Sequence, residues 1–146
     1  MRAVLATAVL AALCGCAGRP GSTFPATYTL PGTVGQIMKG QAVSGQLSLA
    51  DSRRADNSVY QAWTYMGTRG ERIEVHVTSS SFDAYVILED ASGKVLARDD
   101  DSGGGTNARI VFRVPAAGAY RIIASTYRQG SHGQYTLSIR ELSGGR

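Results

Sequence analysis

Cysteine is nearly absent from this 146-residue sequence: there are two, Cys14 and Cys16, and none follows them. A disulfide framework needs cysteines distributed through the fold, so the folded part has none. The two histidines, His76 and His132, are isolated in the sequence and do not make a zinc site by themselves. Small domains held together by disulfides or by zinc are therefore excluded.

Clustered positive charge is also lacking. The formal net charge is +4, and Arg53-Arg54 is the only adjacent basic pair. Because no basic cluster with interleaved aromatic residues occurs, nucleic acid is excluded as a partner. The dispersed arginines are typical of a solvated surface, and a preference for acidic lipid or polysaccharide is the secondary alternative.

Local catalytic signatures are missing as well. The sequence contains no nucleophile elbow of the G-x-S-x-G type. The members of a Ser-His-Asp triad do not have to be close in sequence, so spacing alone does not test for one. Without any local signature, the sequence predicts a protein that is not an enzyme and has no catalytic residues.

No apolar run in the sequence is long enough to cross a membrane as a helix, and the longest one lies at the N-terminus. Residues 3–13 are uncharged and apolar, but this is about half the length that a membrane-spanning helix needs. Arg2 precedes the run and small residues follow it, which is the pattern of a cleavable export signal.

The residues after this run resemble the bacterial lipobox, in which a small residue precedes the cysteine that becomes lipidated. Leu13 and Gly15 match the pattern at positions −3 and −1 of Cys16. Cys14 at position −2 departs from the commoner alanine, serine or threonine, and Leu13 is too large to precede a modified Cys14. We therefore expect lipidation of Cys16, with ordinary secretion and cleavage near Ala17 as the alternative.

A lipidated cysteine with several acyl chains, palmitate among them, anchors a protein stably, since each buried methylene contributes about 0.8 kcal/mol. Ala17, rather than an aspartate, follows Cys16, which in a Gram-negative cell favours the outer membrane. The expected localisation is the cell envelope, with the membrane as a partner through the lipid anchor.

The remaining chain divides by composition. Residues 1–15 are the predicted signal peptide, and residues 16–36 are rich in glycine, proline, serine and threonine, which predicts a flexible tether. Residues 37–142 show short alternating runs and form the predicted domain, and residues 143–146 are a tail.

Alternation of apolar and polar residues predicts β-strands in this domain. Ile73, Val75 and Val77 alternate with polar residues, and similar runs lie near residues 108–114, 120–124 and 135–139. Residues 59–66 and 82–89 are apolar on both faces, which is typical of central strands, and residues 43–49 suggest an opening strand. Turn residues separate the runs, so the pattern predicts an all-β fold, an antiparallel sandwich or barrel of seven or eight short strands.

Several segments of the domain resemble one family in their order and spacing. They are WTY (63–65), GERI (70–73), SFDAYVIL (81–88), GKVLA (93–97), DDDSGGG (99–105), NARI (107–110), PAAGAY (115–120) and GQYTL (133–137). Together they resemble the bacterial pre-peptidase C-terminal domain over about residues 38–141. The resemblance implies an antiparallel, jelly-roll-like β-sandwich of about seven to nine strands, usually non-catalytic and usually appended to exported enzymes. No peptidase domain precedes it in this sequence.

An acidic run, Asp99-Asp100-Asp101, is the sharpest local feature. With Asp83 and Asn107 it offers oxygen ligands of the kind that calcium takes, and calcium is the one cofactor that the sequence suggests. The EF-hand spacing is missing, and adjacent aspartates in a strand face opposite sides. The alternative is a turn in which the aspartates accept backbone N–H bonds from residues 102–105.

Aromatic side chains are the remaining candidates for binding. Trp63, Tyr65, Phe112, Tyr120 and Tyr135 fit core positions. A second set, expected to be partly exposed and able to contact a sugar or a peptide, comprises Tyr60, Tyr85 and Tyr127.

These observations favour a membrane-anchored envelope lipoprotein whose sandwich is a binding or accessory module for a protein or a polysaccharide. The alternatives are a structural subunit of an envelope complex and, third, a hydrolase.

Overall fold

The computed structural model describes residues 28–144, and these residues form ten β-strands and no helix. The strands are β1 Gly35–Ile37, β2 Ala42–Leu47, β3 Ser52–Arg53, β4 Val59–Gly67, β5 Arg72–Thr78, β6 Ala84–Asp90, β7 Val95–Asp99, β8 Ala108–Arg113, β9 Gly118–Thr126 and β10 Gly133–Glu141. The all-β prediction is confirmed. The structure has more strands than the predicted seven to nine because it includes two very short ones, β1 with three residues and β3 with two.

The strands form two sheets. The larger sheet has the order β1-β4-β9-β6-β7, with β3 also paired to β4, and the smaller sheet has the order β2-β10-β5-β8. Every pairing between these strands is antiparallel except that of β1 with β4, which is parallel. As predicted, the two runs that are apolar on both faces became central strands, β4 and β6.

The core lies between the sheets and receives every second side chain of each long strand. Ile73, Val75 and Val77 of β5 are completely buried there. Across from them lie Val86 and Leu88 of β6. Packing of the two apolar faces against each other supplies most of the driving force for folding.

The predicted core aromatics divide into two groups. Tyr65, Tyr120 and Tyr135 are buried, whereas Trp63 and Phe112 are partly buried against the core. The hydroxyl of each of these three tyrosines donates to an acceptor, as a buried polar group requires.

The domain begins earlier than composition predicts. The tether was predicted to continue to residue 36, but Leu30 is buried and its N–H donates to Thr64 Oγ1 at 2.7 Å. Val34 N–H donates to the carbonyl of Ala62 at 2.8 Å, and β1 then pairs with β4. One leucine and a few backbone hydrogen bonds are enough to fix this segment, although its composition is that of a linker. The predicted signal peptide and Cys16 lie outside the described residues.

No helix in residues 28–144 is long and apolar enough to cross a membrane.

Candidate functional site

The three consecutive aspartates lie at the end of β7 and in the loop that follows it. One oxygen from each carboxylate lies within 4.8 Å of the others, and Asp83 is not part of this group. The Asp99 carboxylate accepts hydrogen bonds from Ser102 N–H at 3.0 Å, Ser102 Oγ at 2.6 Å and Arg109 N–H at 2.8 Å. Asp99 therefore closes this loop. The turn alternative holds for this one aspartate, because the carboxylates of Asp100 and Asp101 accept no hydrogen bond within the described residues.

The other two predicted ligands have structural contacts of their own. Asn107 Oδ1 accepts a hydrogen bond from Ser79 N–H at 3.2 Å, and the Asp83 carbonyl accepts one from Tyr127 N–H at 2.8 Å. The cluster supplies three of the six to eight oxygens that calcium takes, so loop carbonyls or water would have to supply the others. Calcium binding stays a prediction.

The two histidines have different environments. His76 lies on β5, where its Nε2 is 3.6 Å from the buried carboxylate of Glu74. His132 lies in the β9–β10 loop, where its Nδ1 is 3.2 Å from the carbonyl of Gly130. Within the described residues, neither ring is hydrogen-bonded to a serine, threonine or tyrosine hydroxyl, the arrangement that activates such a nucleophile.

A small apolar cluster lies on the outer face of the six-stranded sheet, away from the core. Ala62 of β4, Ile123 of β9 and Ile87 of β6 are buried there, with Tyr60 and Tyr85 packed against them. The central strands thus present apolar residues on both faces, and part of this outer face forms a concave site.

The concave site is a pocket of about 400 Å³. Its lining combines apolar, aromatic and charged side chains: Pro31, Gly32, Arg53, Arg54, Ala55, Tyr60, Ile87, Glu89, Arg121 and Ile123. Volumes of this order, with an apolar lining and a few polar groups, are typical of ligand sites.

Three arginines surround the pocket, and contacts hold each of them in place. Arg53 donates to the carbonyls of Asn57 at 3.1 Å and Leu49 at 2.9 Å. Arg54 lies 4.4 Å over the ring of Tyr85 and forms an ion pair with Asp56 at 3.0 Å. Arg121 donates to the carbonyl of Pro31 at 2.9 Å and lies 3.5 Å from Glu89. Side chains that are already ordered lose less conformational entropy when a partner binds.

The tyrosines expected to be partly exposed all lie at this face. Tyr60 and Tyr85 are half-buried, and Tyr127 is 53% exposed, with its ring centroid 6.4 Å from that of Tyr85. We call the set Tyr60, Tyr85, Tyr127, Arg53, Arg54 and Arg121 the tyrosine–arginine surface. The sequence indicated its tyrosines but not its arginines, which come from a loop, β3 and β9 and meet only through the fold.

No protein-family model matches the chain. A probable subtilase-type serine protease of Deinococcus radiodurans is 36% identical over 69 residues. This match covers 44% of the chain but only 9% of the protease, so the chain corresponds to a small part of that relative.

Two solved structures match this chain to different extents. PliG of Aeromonas hydrophila, a periplasmic inhibitor of g-type lysozyme, matches with 15% identity and a TM-score of 0.47, over 72% of this chain and 99% of PliG. The pre-peptidase C-terminal domain of a Bacillus anthracis collagenase matches with 18% identity and a TM-score of 0.55, over 72% of this chain and 92% of that domain. Residues 28–144 therefore have the β-sandwich fold of a pre-peptidase C-terminal domain, and the resemblance seen in the sequence is confirmed at the level of the fold.

Proposed function

We propose that this protein is a non-catalytic binding module of the cell envelope, anchored through a lipidated Cys16, and that the tyrosine–arginine surface holds a partner protein. The observation that carries the proposal is the pocket with an apolar floor and an arginine rim on the outer face of the six-stranded sheet.

The composition of this surface favours a protein partner. Tyrosine and arginine are enriched among the residues that contribute most to binding between proteins. Ile87 and Ile123 form an apolar floor for one aliphatic or aromatic side chain of the partner. Three arginines and one glutamate line the pocket, so a partner segment with acidic residues beside its apolar anchor is complementary in charge.

The anchor would keep this surface close to the membrane. Eleven residues, 17–27, separate Cys16 from Tyr28. A chain of that length spans at most about 40 Å. Pro31, near the start of the described chain, lines the pocket, so the pocket is on the side where the tether joins the domain. A partner bound there is held within reach of the bilayer.

The anchor is tested by a serine substitution. Cys16→Ser removes the acceptor of the lipid, so we expect the protein to move from the membrane fraction to the soluble fraction and to lose the mass of its acyl chains. Cys14→Ser is the matched control and should change neither the membrane location nor the mass of the acyl chains. Loss of the acyl chains in Cys14→Ser, with retention in Cys16→Ser, would contradict the assignment.

The binding surface is tested by affinity capture from solubilised envelope with three forms of the full chain. They are the unaltered protein, the double variant Arg53→Glu/Tyr60→Ala, and Arg69→Gln, which changes an exposed arginine in the β4–β5 turn. We expect a protein captured by the first and third forms and lost by the second, with all three giving a cooperative thermal transition. Equal capture by all three would refute a role for this surface.

A further inference from the structure

The outer face of the four-stranded sheet has its positive charges concentrated at one end. Arg72 of β5 lies directly opposite Arg113 of β8. In the following rows Arg140 of β10 lies opposite Glu74, and Arg109 of β8 lies opposite His76. The strands of this face thus carry four arginines and one carboxylate.

The pair Arg72 and Arg113 has an unfavourable arrangement. Like charges directly opposite each other on neighbouring strands are destabilising. Both residues are exposed, and neither side chain forms an ion pair or a hydrogen bond with another residue in the described part of the chain. An anion bound between them would relieve the repulsion.

Glu74 fixes the other two arginines. Its side chain is only 3% exposed, and its carboxylate lies 2.9 Å from Arg109 Nε and 2.6 Å from Arg140 Nη2. The arginine side chains remain 42% and 68% exposed, so their other N–H donors can still reach a ligand. One carboxylate therefore positions two arginines without neutralising the face.

The opposite end of the same face is polar but uncharged. Ser44, Thr136 and Thr78 lie side by side on β2, β10 and β5, and Gln46 pairs with Gln134 in the next row. These five residues line a shallow groove of about 820 Å³. None of their side chains forms a hydrogen bond within the described residues, so their hydroxyl and amide groups are available to a ligand.

We propose that this face binds an acidic polysaccharide. The arginine end would bind the carboxylates of the sugar chain, and the groove would exchange hydrogen bonds with its hydroxyl groups. From Arg72 to Thr78 the face extends for roughly 20 Å, which is long enough for a short run of sugar units. This goes beyond the proposed function, since it concerns the other sheet and another class of ligand.

A membrane surface fits the same face less well. Anionic headgroups would match the arginines, but they would leave the groove unused. Val111, at 39% exposure, is the one exposed large apolar side chain on the described strands of this face, so little apolar surface is available for insertion into a bilayer.

The test is calorimetric titration of the full chain carrying Cys16→Ser, which has no lipid acceptor and needs no detergent, with oligomers of polygalacturonate, which carries carboxylates. Neutral dextran and phosphatidylglycerol vesicles are the comparison ligands. We expect binding to polygalacturonate that weakens with ionic strength, because exposed charges are screened, and no binding to dextran. Arg72→Gln/Arg113→Gln should weaken binding by about tenfold or more for each arginine removed.

Two further variants separate this explanation from general charge attraction. Thr136→Val removes a groove hydroxyl and should weaken polysaccharide binding about fivefold, as expected for one neutral hydrogen bond, without affecting vesicle binding. Arg98→Gln removes an exposed arginine on β7 of the other sheet and should change neither polysaccharide binding nor vesicle binding. The double arginine variant removes a like-charge contact, so it should fold at least as stably as the original and remain testable.

Three results would overturn the proposal. The first is no binding to polygalacturonate, and the second is unchanged binding after Arg72→Gln/Arg113→Gln. The third is binding to vesicles that is as strong as binding to polygalacturonate, with neither affinity changed by Thr136→Val. The last result would assign the face to a lipid surface instead.

Discussion

The Glu71→Gln substitution perturbs a buried hydrogen-bond network at the β4–β5 turn. The Glu71 side chain is 4% exposed. Its Oε1 accepts hydrogen bonds from the Tyr65 hydroxyl and from Thr68 N–H at 2.9 Å, and its Oε2 accepts one from Lys39 at 3.0 Å. Glutamine keeps the shape and one acceptor, but it faces Lys39 with an amide donor.

The magnitude follows from these contacts. A hydrogen bond to a charged group contributes about 1.5–3 kcal/mol. The substitution loses the contact with Lys39 and weakens the other two, so we expect a loss of about 2 kcal/mol in the free energy of unfolding. For a domain of this size, that lowers the melting temperature by roughly 6–10 °C.

The stability that Glu71 contributes also depends on pH, and it falls as the pH is lowered. Burial opposes ionisation of Glu71, but hydrogen bonds from Tyr65, Thr68 and Lys39 outweigh it and lower the pKa of Glu71 below its ordinary 4.5. A carboxyl with a lowered pKa in the folded state stabilises the protein above its ordinary pKa, and that contribution is lost as the pH falls through the folded value.

The assay is thermal denaturation followed by circular dichroism at pH 7 and pH 3. The original protein should be more stable than Glu71→Gln at pH 7, and the difference should narrow at pH 3. Glu141→Gln, at a side chain 51% exposed, is the control and should cost less than about 1 kcal/mol. A difference of the same size at both pH values would refute the reasoning.

Three other substitutions test particular contacts. A Cβ at Gly45 would lie 2.3 Å from the buried ring of Tyr135, so Gly45→Ala should cost about 1–3 kcal/mol in a denaturant titration, whereas Gly144→Ala, with open space around it, should cost almost nothing. Asp99→Ala removes three hydrogen bonds and should destabilise by about 1–3 kcal/mol. If the aspartates also bind calcium, calcium should raise the melting temperature of the original protein but not that of Asp99→Ala. If calcium leaves the melting temperature of the original protein unchanged, the aspartates have only their structural role in the turn. Glu74→Gln should lower stability yet strengthen polygalacturonate binding, because it removes the one carboxylate on this face, which repels the carboxylates of the sugar chain; weaker binding would contradict this.

The sheet content was predictable from the sequence because burial with a period of two is a local property. Ile73, Val75 and Val77 alternate in the sequence and point to the core in the structure. The parallel pairing of β1 with β4 was not predictable in this way. It depends on Leu30 and Val34 contacting β4 about thirty residues away, and the Gly- and Pro-rich composition around them gives no sign of it.

The burial of Glu74 was likewise not predictable from the sequence pattern. Alternation correctly placed it on the face away from the core, where a charged residue is normally solvated. Its burial comes from Arg109 and Arg140 on the two neighbouring strands, and only the strand register brings them over it. The tyrosine–arginine surface likewise needs strand order, because its residues come from separate strands and loops.

The central claim, that the tyrosine–arginine surface holds a partner protein, is tested most directly by photo-crosslinking in living cells. A photoreactive amino acid would replace Tyr60, which lines the pocket, or Lys94, which is exposed in the β6–β7 turn. We predict that the probe at Tyr60 forms one discrete crosslinked species with an envelope protein and that the probe at Lys94 does not. No crosslink at Tyr60, or the same species from both positions, would contradict the claim.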